Sequence, residues 1–316
     1  MQHLLWDNLE TAVVSEENPV NAWEKDGARR ALDELFTLAR QYNSSQAYFK
    51  LLDFVAKFRF YSPFNAMLIH TQRPGATYVA PPHRWQRDYD RAIKTAANPI
   101  VILQPKGPVM FVFDVIDTEP LPNARPLPPE VENPFRVRHG LIKQELNLTI
   151  ENAKRDGIRM LEQESGSQSA GKIQTVKPGR QVSFVAKQKP NLVAVSIPLR
   201  YEVVLNAKHS AEEKYATLVH ELAHLYCGHL GTPNQKWWPD RQGLSHEVRE
   251  CEAESISYLV CKRLGIDSPS EEYLAGFVQK DVPTPSISLE CVMKSAGLIE
   301  QMGKAKMKVR KEEAES

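Results

Sequence analysis

SAEEKYATLVHELAHLYCGHLG, residues 210–231, sets the reading of the chain. Ser210 followed three residues later by Glu213 is a capping box, so a helix is predicted to start at Ser210. Gly228 or Gly231 supplies its stop. Inside the helix stand His220, Glu221 and His224. Four residues turn an α-helix through about 400°, so both imidazoles lie on one face, one turn apart. That spacing lets both rings reach one divalent ion at about 2.0–2.1 Å. Glu221 lies about 100° further round than His220, on the side where a water on the ion would sit.

Two histidines need a third protein ligand to make an open catalytic metal site. The segment SHEVRECEAESISYLVCKRLGI, residues 245–266, offers four carboxylates, Glu247, Glu250, Glu252 and Glu254. Ser245 is its predicted N-cap. Glu250 and Glu254 share a face flanked by Ala253, Ser257, Val260 and Cys261. Glu250 is therefore the third-ligand candidate. Glu254, one turn on, is the alternative, or a hydrogen-bond acceptor that fixes a histidine tautomer. Glu247 and Glu252 are read as solvent-facing. His229, five residues beyond His224, is read as a surface or capping histidine. His246 and Tyr258 are candidate stabilisers of developing charge, with core packing the alternative for Tyr258, and Cys227 reads as packing. Trp237 and Trp238 either wall a peptide groove or anchor a loop.

Outward from this core, three β-like runs precede the helix: 181–186, 192–197 and 202–207. They predict a small antiparallel sheet. A helix is expected over about 139–163 and a polar loop over 164–172. Earlier, apolar spacing predicts helix over 26–58, broken at Asn43-Ser44-Ser45, and a short helix over 63–71. The runs 99–104 and 109–115 flank Pro105-Lys106-Gly107-Pro108 as a hairpin. Residues 119–134 hold six prolines and read as an extended linker. The expected organisation is a basic α+β domain over 1–120, a linker over 121–135, a second α+β domain over 136–303, and a charged tail over 304–316.

The 316 residues carry a formal net charge of +1, so whole-chain charge names no partner. Four cysteines without a CxxC pair argue against a disulfide framework. No apolar stretch reaches the roughly 20 residues a membrane helix needs, and the first residues lack a signal-peptide pattern. A cytoplasmic protein without a membrane partner is expected. Locally, nine basic residues stand against three acidic ones between Lys50 and Met110, with aromatics between them. Lys57, Arg59, Arg84, Trp85, Arg87 and Arg91 are candidates for contacting single-stranded DNA, phosphates through the cations and unpaired bases through the ring. A basic surface over an aromatic core accounts for the same composition.

HELAHLYCGH followed by ECEAESISYL resembles the ImmA/IrrE family of metallopeptidases. The resemblance implies a minimal gluzincin-like domain: a three-stranded sheet, the helix carrying His220, Glu221 and His224, and the helix carrying Glu250. It implies Zn2+ or another divalent ion on His220, His224 and Glu250, Glu221 as catalytic base, and a protein or peptide substrate. Where the family carries Asn or Asp, this chain has Glu254. YSPFNAMLIHTQRPGATYVAPPHRWQ, residues 61–86, is similar to the N-terminal domain of ArdC-type antirestriction proteins. That similarity implies single-stranded DNA binding and a role in antirestriction, mobile-element or stress regulation. Two rivals are a protease that cuts a DNA-bound repressor without binding DNA, and a DNA-binding protein with a mainly structural metal.

Overall fold

The computed structural model of the chain describes residues 42, 44–104, 107–128, 131, 142–164, 171–187, 193–279 and 283–310. The architecture is mixed α+β. The helix expected before residue 42, most of the proline-rich segment after 128, residues 165–170 and the end of the charged tail lie outside the described residues.

Helix α1 (Ser45–Lys57) starts at the predicted break, where the Ser44 hydroxyl accepts from the Ala47 amide at 3.2 Å. Helix α2 (Pro63–Gln72) is capped by Ser62 and has proline in its first turn. Strand β1 (Val79–Ala80), helix α3 (Pro82–Tyr89) and strand β2 (Arg91–Ile93) follow. The predicted hairpin forms β3 (Ile100–Gln104) and β4 (Gly107–Asp114), paired Ile100 to Val112. Strand β1 joins β4 to complete a three-stranded sheet, and β5 (Thr118–Pro120) pairs with β2 in a separate ribbon.

The second half departs from the sequence reading in its strands. Helix α4 (Lys143–Lys154) ends nine residues before the expected 163, and β6 (Ile158–Gln163) takes over. Gly157 makes the break with φ of 79°, and a Cβ there would stand 2.5 Å from the Pro198 carbonyl oxygen. Strand β7 (Gly171–Thr175) begins inside the expected loop. Among the described residues, strands β8 (Gln181–Lys187) and β9 (Val193–Pro198) pair only with each other, Val182 opposite Ile197. Strand β10 (Tyr201–Asn206) alone of the three predicted runs enters the main sheet, whose order is β6-β10-β7. It runs parallel to β6 and antiparallel to β7. The burial patterns show why. Strand β10 is covered along nearly its whole length, as a central strand must be, whereas β9 is mostly exposed.

Helix α5 (Ala211–Tyr226) lies against β10 and β7 and carries the complete capping box. Helix α6 (His246–Leu264) packs on α5. Helices α7 (Ser270–Gln279) and α8 (Leu289–Lys304) both pack against α6.

One apolar core runs through both halves of the chain: Leu51, Leu52, Met67 and Ile102 pack in the same cluster as Leu218, Leu222, Val260 and Ile299. Tyr48 donates its hydroxyl proton to Ser255 at 2.7 Å. Buried Arg263 of α6 donates to the carbonyls of Val55 at 2.6 Å, Phe58 at 3.0 Å and Tyr61 at 2.7 Å, and pairs with buried Glu300. Helices α1 and α2 therefore stand on the same core as the helices beyond the proline-rich segment. Removing one partner of a buried ion pair leaves the other charge uncompensated. We expect Arg263→Ala to lower stability by about 3–5 kcal/mol. Urea unfolding checks this, and a loss under about 1 kcal/mol would mean that Arg263 is not the tie described.

Candidate metal centre

The capped helix α5 and the helix α6 cross so that three side chains converge. The Nε2 atoms of His220 and His224 are 3.2 Å apart. Glu250 Oε2 lies 3.7 Å from His220 Nε2, and Glu250 Oε1 lies 3.5 Å from His224 Nε2. All three ligand atoms fall within 4.8 Å of one another. Three donors about 2.0–2.1 Å from one ion in tetrahedral arrangement stand roughly 3.3–3.4 Å apart, so the spacing fits a divalent cation with a position left open. The donor set, two imidazoles and a carboxylate, suits zinc and related ions.

The protonation state of His224 agrees with that fit. Burial, then the positive charge that His220 can carry, push His224 down to about 3, so its ring is neutral at neutral pH. A ligand imidazole must be neutral. Burial would also lower His220, but the Glu254 carboxylate beside it, with Glu221 and Glu250, raises it overall. Glu254 Oε1 stands 3.6 Å from His220 Nδ1.

Glu221 is buried next to the ligands without joining them. Burial raises its carboxyl above the usual range, against the opposing pull of His220 and of a hydrogen bond from the Ile173 backbone. Ile173 belongs to β7, an edge strand of the main sheet.

The other predicted residues fall in different places. His246 Nδ1 is 3.5 Å from Glu250 Oε1, on an exposed side chain. Tyr258 is corrected: it is 2% exposed and packs its ring on Phe49, in the core rather than at the centre. A tyrosine absent from the sequence reading, Tyr273 of α7, is the one under the influence of these carboxylates. Burial, then Cys251, Glu250 and Glu254, push its phenol up to about 12. Its signal in the sequence was slight, a tyrosine one helix beyond the ligands.

Two readings are reversed on the far side of His224. His229 and Glu252, expected at the surface, are 5% and 0% exposed. Gly228 takes φ of 77°, so the helix ends and the chain turns His229 back, its amide bonding the His224 carbonyl at 3.0 Å. Extrapolating the helix to residue 229 misplaced that ring. Helix α6 is covered on nearly every side from Cys251 to Cys261, so it has no solvent face for Glu252. Trp238 is a loop anchor, its indole N–H donating to the Gly231 carbonyl at 2.9 Å. Cys227 is buried, and all four cysteines are free thiols.

In the first half, Trp85 is corrected: it is fully buried and donates to the Phe113 carbonyl at 2.9 Å, so no base can stack on it. Tyr78 and Tyr89 are buried with it. Lys57 pairs with Asp53, Arg84 and Arg87 both pair with Asp88, Arg59 donates to the Lys262 carbonyl, and Arg91 donates to Thr118. Sequence interleaving of aromatics with cations reflected an aromatic core under a paired charged surface. Among the described residues no helix is long and apolar enough to cross a membrane.

Residues 177–257 match the family described as the IrrE N-terminal-like domain, a peptidase family. The match contains His220, Glu221, His224 and Glu250. An uncharacterized protein of Bacillus anthracis is 21% identical over 277 residues. This chain spans 45% of that relative's length, and 77% of this chain is covered. Crystal structures of the antirestriction protein ArdC from the R388 plasmid are similar at 14% identity over 77% of this chain. The metal-free form has a TM-score of 0.32 with 82% of that chain covered, and the Mn(II)-bound form 0.34 with 84%. Similarity at that level stands beside the site geometry and adds nothing to it.

Proposed function

We propose that the chain is a zinc-dependent peptidase whose ion is held by His220, His224 and Glu250, with Glu221 as general base. The observation that carries this reading is the three-donor cluster with one further buried carboxylate beside it. A structural zinc site is closed by four ligands and has no use for an adjacent free carboxylate. The peptidase-family match over the same residues supports the reading.

When bound, the ion supplies Lewis-acid polarisation of a peptide carbonyl and acidifies water. Glu221 takes the proton from the attacking water and delivers it to the departing amide nitrogen. The Ile173 amide orients the Glu221 carboxylate, and burial makes it a stronger base than an exposed glutamate. The outer edge of β7 is free of any strand among the described residues, so an extended substrate can add to it through backbone hydrogen bonds.

The setting we propose is the one implied by the sequence resemblance, a protein target in antirestriction, mobile-element or stress regulation. Binding of single-stranded DNA by the first 120 residues then has phosphate contacts from cations such as Arg87 to support it, without the base stacking expected of Trp85.

The test is proteolysis by the full chain. Zinc-loaded protein is incubated with a denatured protein mixture, and new N-termini are read by mass spectrometry. We expect new termini that disappear with a chelator and return with added zinc. Their absence at every zinc level, or cleavage indifferent to the chelator, would contradict the peptidase reading.

A further inference from the structure

We propose that His229 and Glu252 form a positioning relay that fixes the tautomer and ring orientation of His224; this rests on the metal reading above. The relay follows from counting donors and acceptors. His224 turns its Nε2 toward His220 Nε2, at 3.2 Å, and toward Glu250. An imidazole that offers Nε2 as a ligand carries its proton on Nδ1. His224 Nδ1 lies 3.0 Å from His229 Nδ1, so the N–H of His224 donates and His229 Nδ1 accepts. His229 then carries its own proton on Nε2, which lies 2.9 Å from Glu252 Oε2. A carboxylate only accepts, so the chain ends there with every proton assigned.

Glu252 is held for this role. Arg241 donates to Oε2 at 2.7 Å and to Oε1 at 2.6 Å, and the Ser288 amide donates to Oε1 at 2.7 Å. With His229 on Oε2, each oxygen accepts two hydrogen bonds, which fills its acceptor sites.

The same hydrogen bonds leave no room for a second ion site. Cys227, His229 and Glu252 place their donor atoms within 4.8 Å of one another. Yet both ring nitrogens of His229 and the oxygens of Glu252 are occupied, and Cys227 bonds Ser295 at 3.6 Å. The two ligand histidines are thus oriented by different devices. His220 faces the carboxylate of Glu254 directly, at the longer distance of 3.6 Å. His224 reaches its carboxylate through a second ring, in full burial.

Removing a partner that orients a ligand typically weakens metal affinity about 10–100-fold. The test uses the full chain. Nitrogen-15 NMR of histidine-labelled, zinc-loaded protein should show His224 protonated at Nδ1 and His229 at Nε2. His229→Phe should bind zinc about 10–100-fold more weakly, by titration against a competing chelator. His229→Gln, whose amide oxygen can accept from His224, should recover part of that loss. A proton on His229 Nδ1 in the loaded protein overturns the relay, as does a folded His229→Phe that binds zinc like wild type. If His229→Phe fails to fold, the wild-type tautomers and His229→Gln decide the matter. A wild type that takes up no zinc overturns the metal reading and the relay with it, so the two failures differ.

Discussion

Glu221→Gln keeps the metal and loses peptide hydrolysis by a factor of about 10² to 10⁴, the range general acid–base catalysis supplies. Glutamine has the size of glutamate, and its amide oxygen can still accept from the Ile173 amide, so the packing under β7 survives. It cannot take a proton from water. The residue lies outside the triangle of His220, His224 and Glu250, which leaves the donor set intact. Parallel measurement of metal content and of new N-termini separates the alternatives. Unchanged cleavage would exclude Glu221 as the base. Joint loss of metal and activity would make it a part of the ion's support instead.

His220→Ala and His224→Ala each take the chain from about one divalent ion to nearly none after dialysis against a weak chelator. A three-ligand site reduced to two donors holds zinc far less well, and here the remaining pair would come from different helices. Glu250→Gln should weaken binding strongly as well, since it is the one carboxylate within 3.7 Å of both ring nitrogens. Glu254→Gln should act moderately, through His220. Elemental analysis of the purified variants checks the series. Full occupancy in both histidine variants would mean that the ligands lie elsewhere.

The parts of this molecule that local rules control were legible in the sequence. Ser210 with Glu213 announced helix α5, Ser245 announced α6, and a four-residue spacing set His220 and His224 on one face. Each depends on contacts within a few residues. Strand membership was not legible, because β8, β9 and β10 have similar composition and differ in what covers them. The end of α4 turned on Gly157, whose left-handed backbone passes so close to the carbonyl of Pro198, forty-one residues away, that a Cβ has no room. His229 and Glu252 were misread for one reason: both rules assumed a helix with a wet side. The turn at Gly228 and the all-round burial of α6 removed that side. Trp85 shows the same limit from the other direction, since an aromatic among arginines has the same composition whether its ring points out or in. The proline-rich stretch marks a change in the chain's path, while Arg263 and Tyr48 draw the elements before it onto the core built after it.

The central claim is that one ion sits among His220, His224 and Glu250. Anomalous scattering at the zinc edge, from crystals of the zinc-loaded full chain, tests it most directly. We expect one strong peak about 2.0–2.2 Å from both Nε2 atoms and a Glu250 carboxylate oxygen. A peak among Cys227, His229 and Glu252, or none at the three proposed ligands, would contradict it.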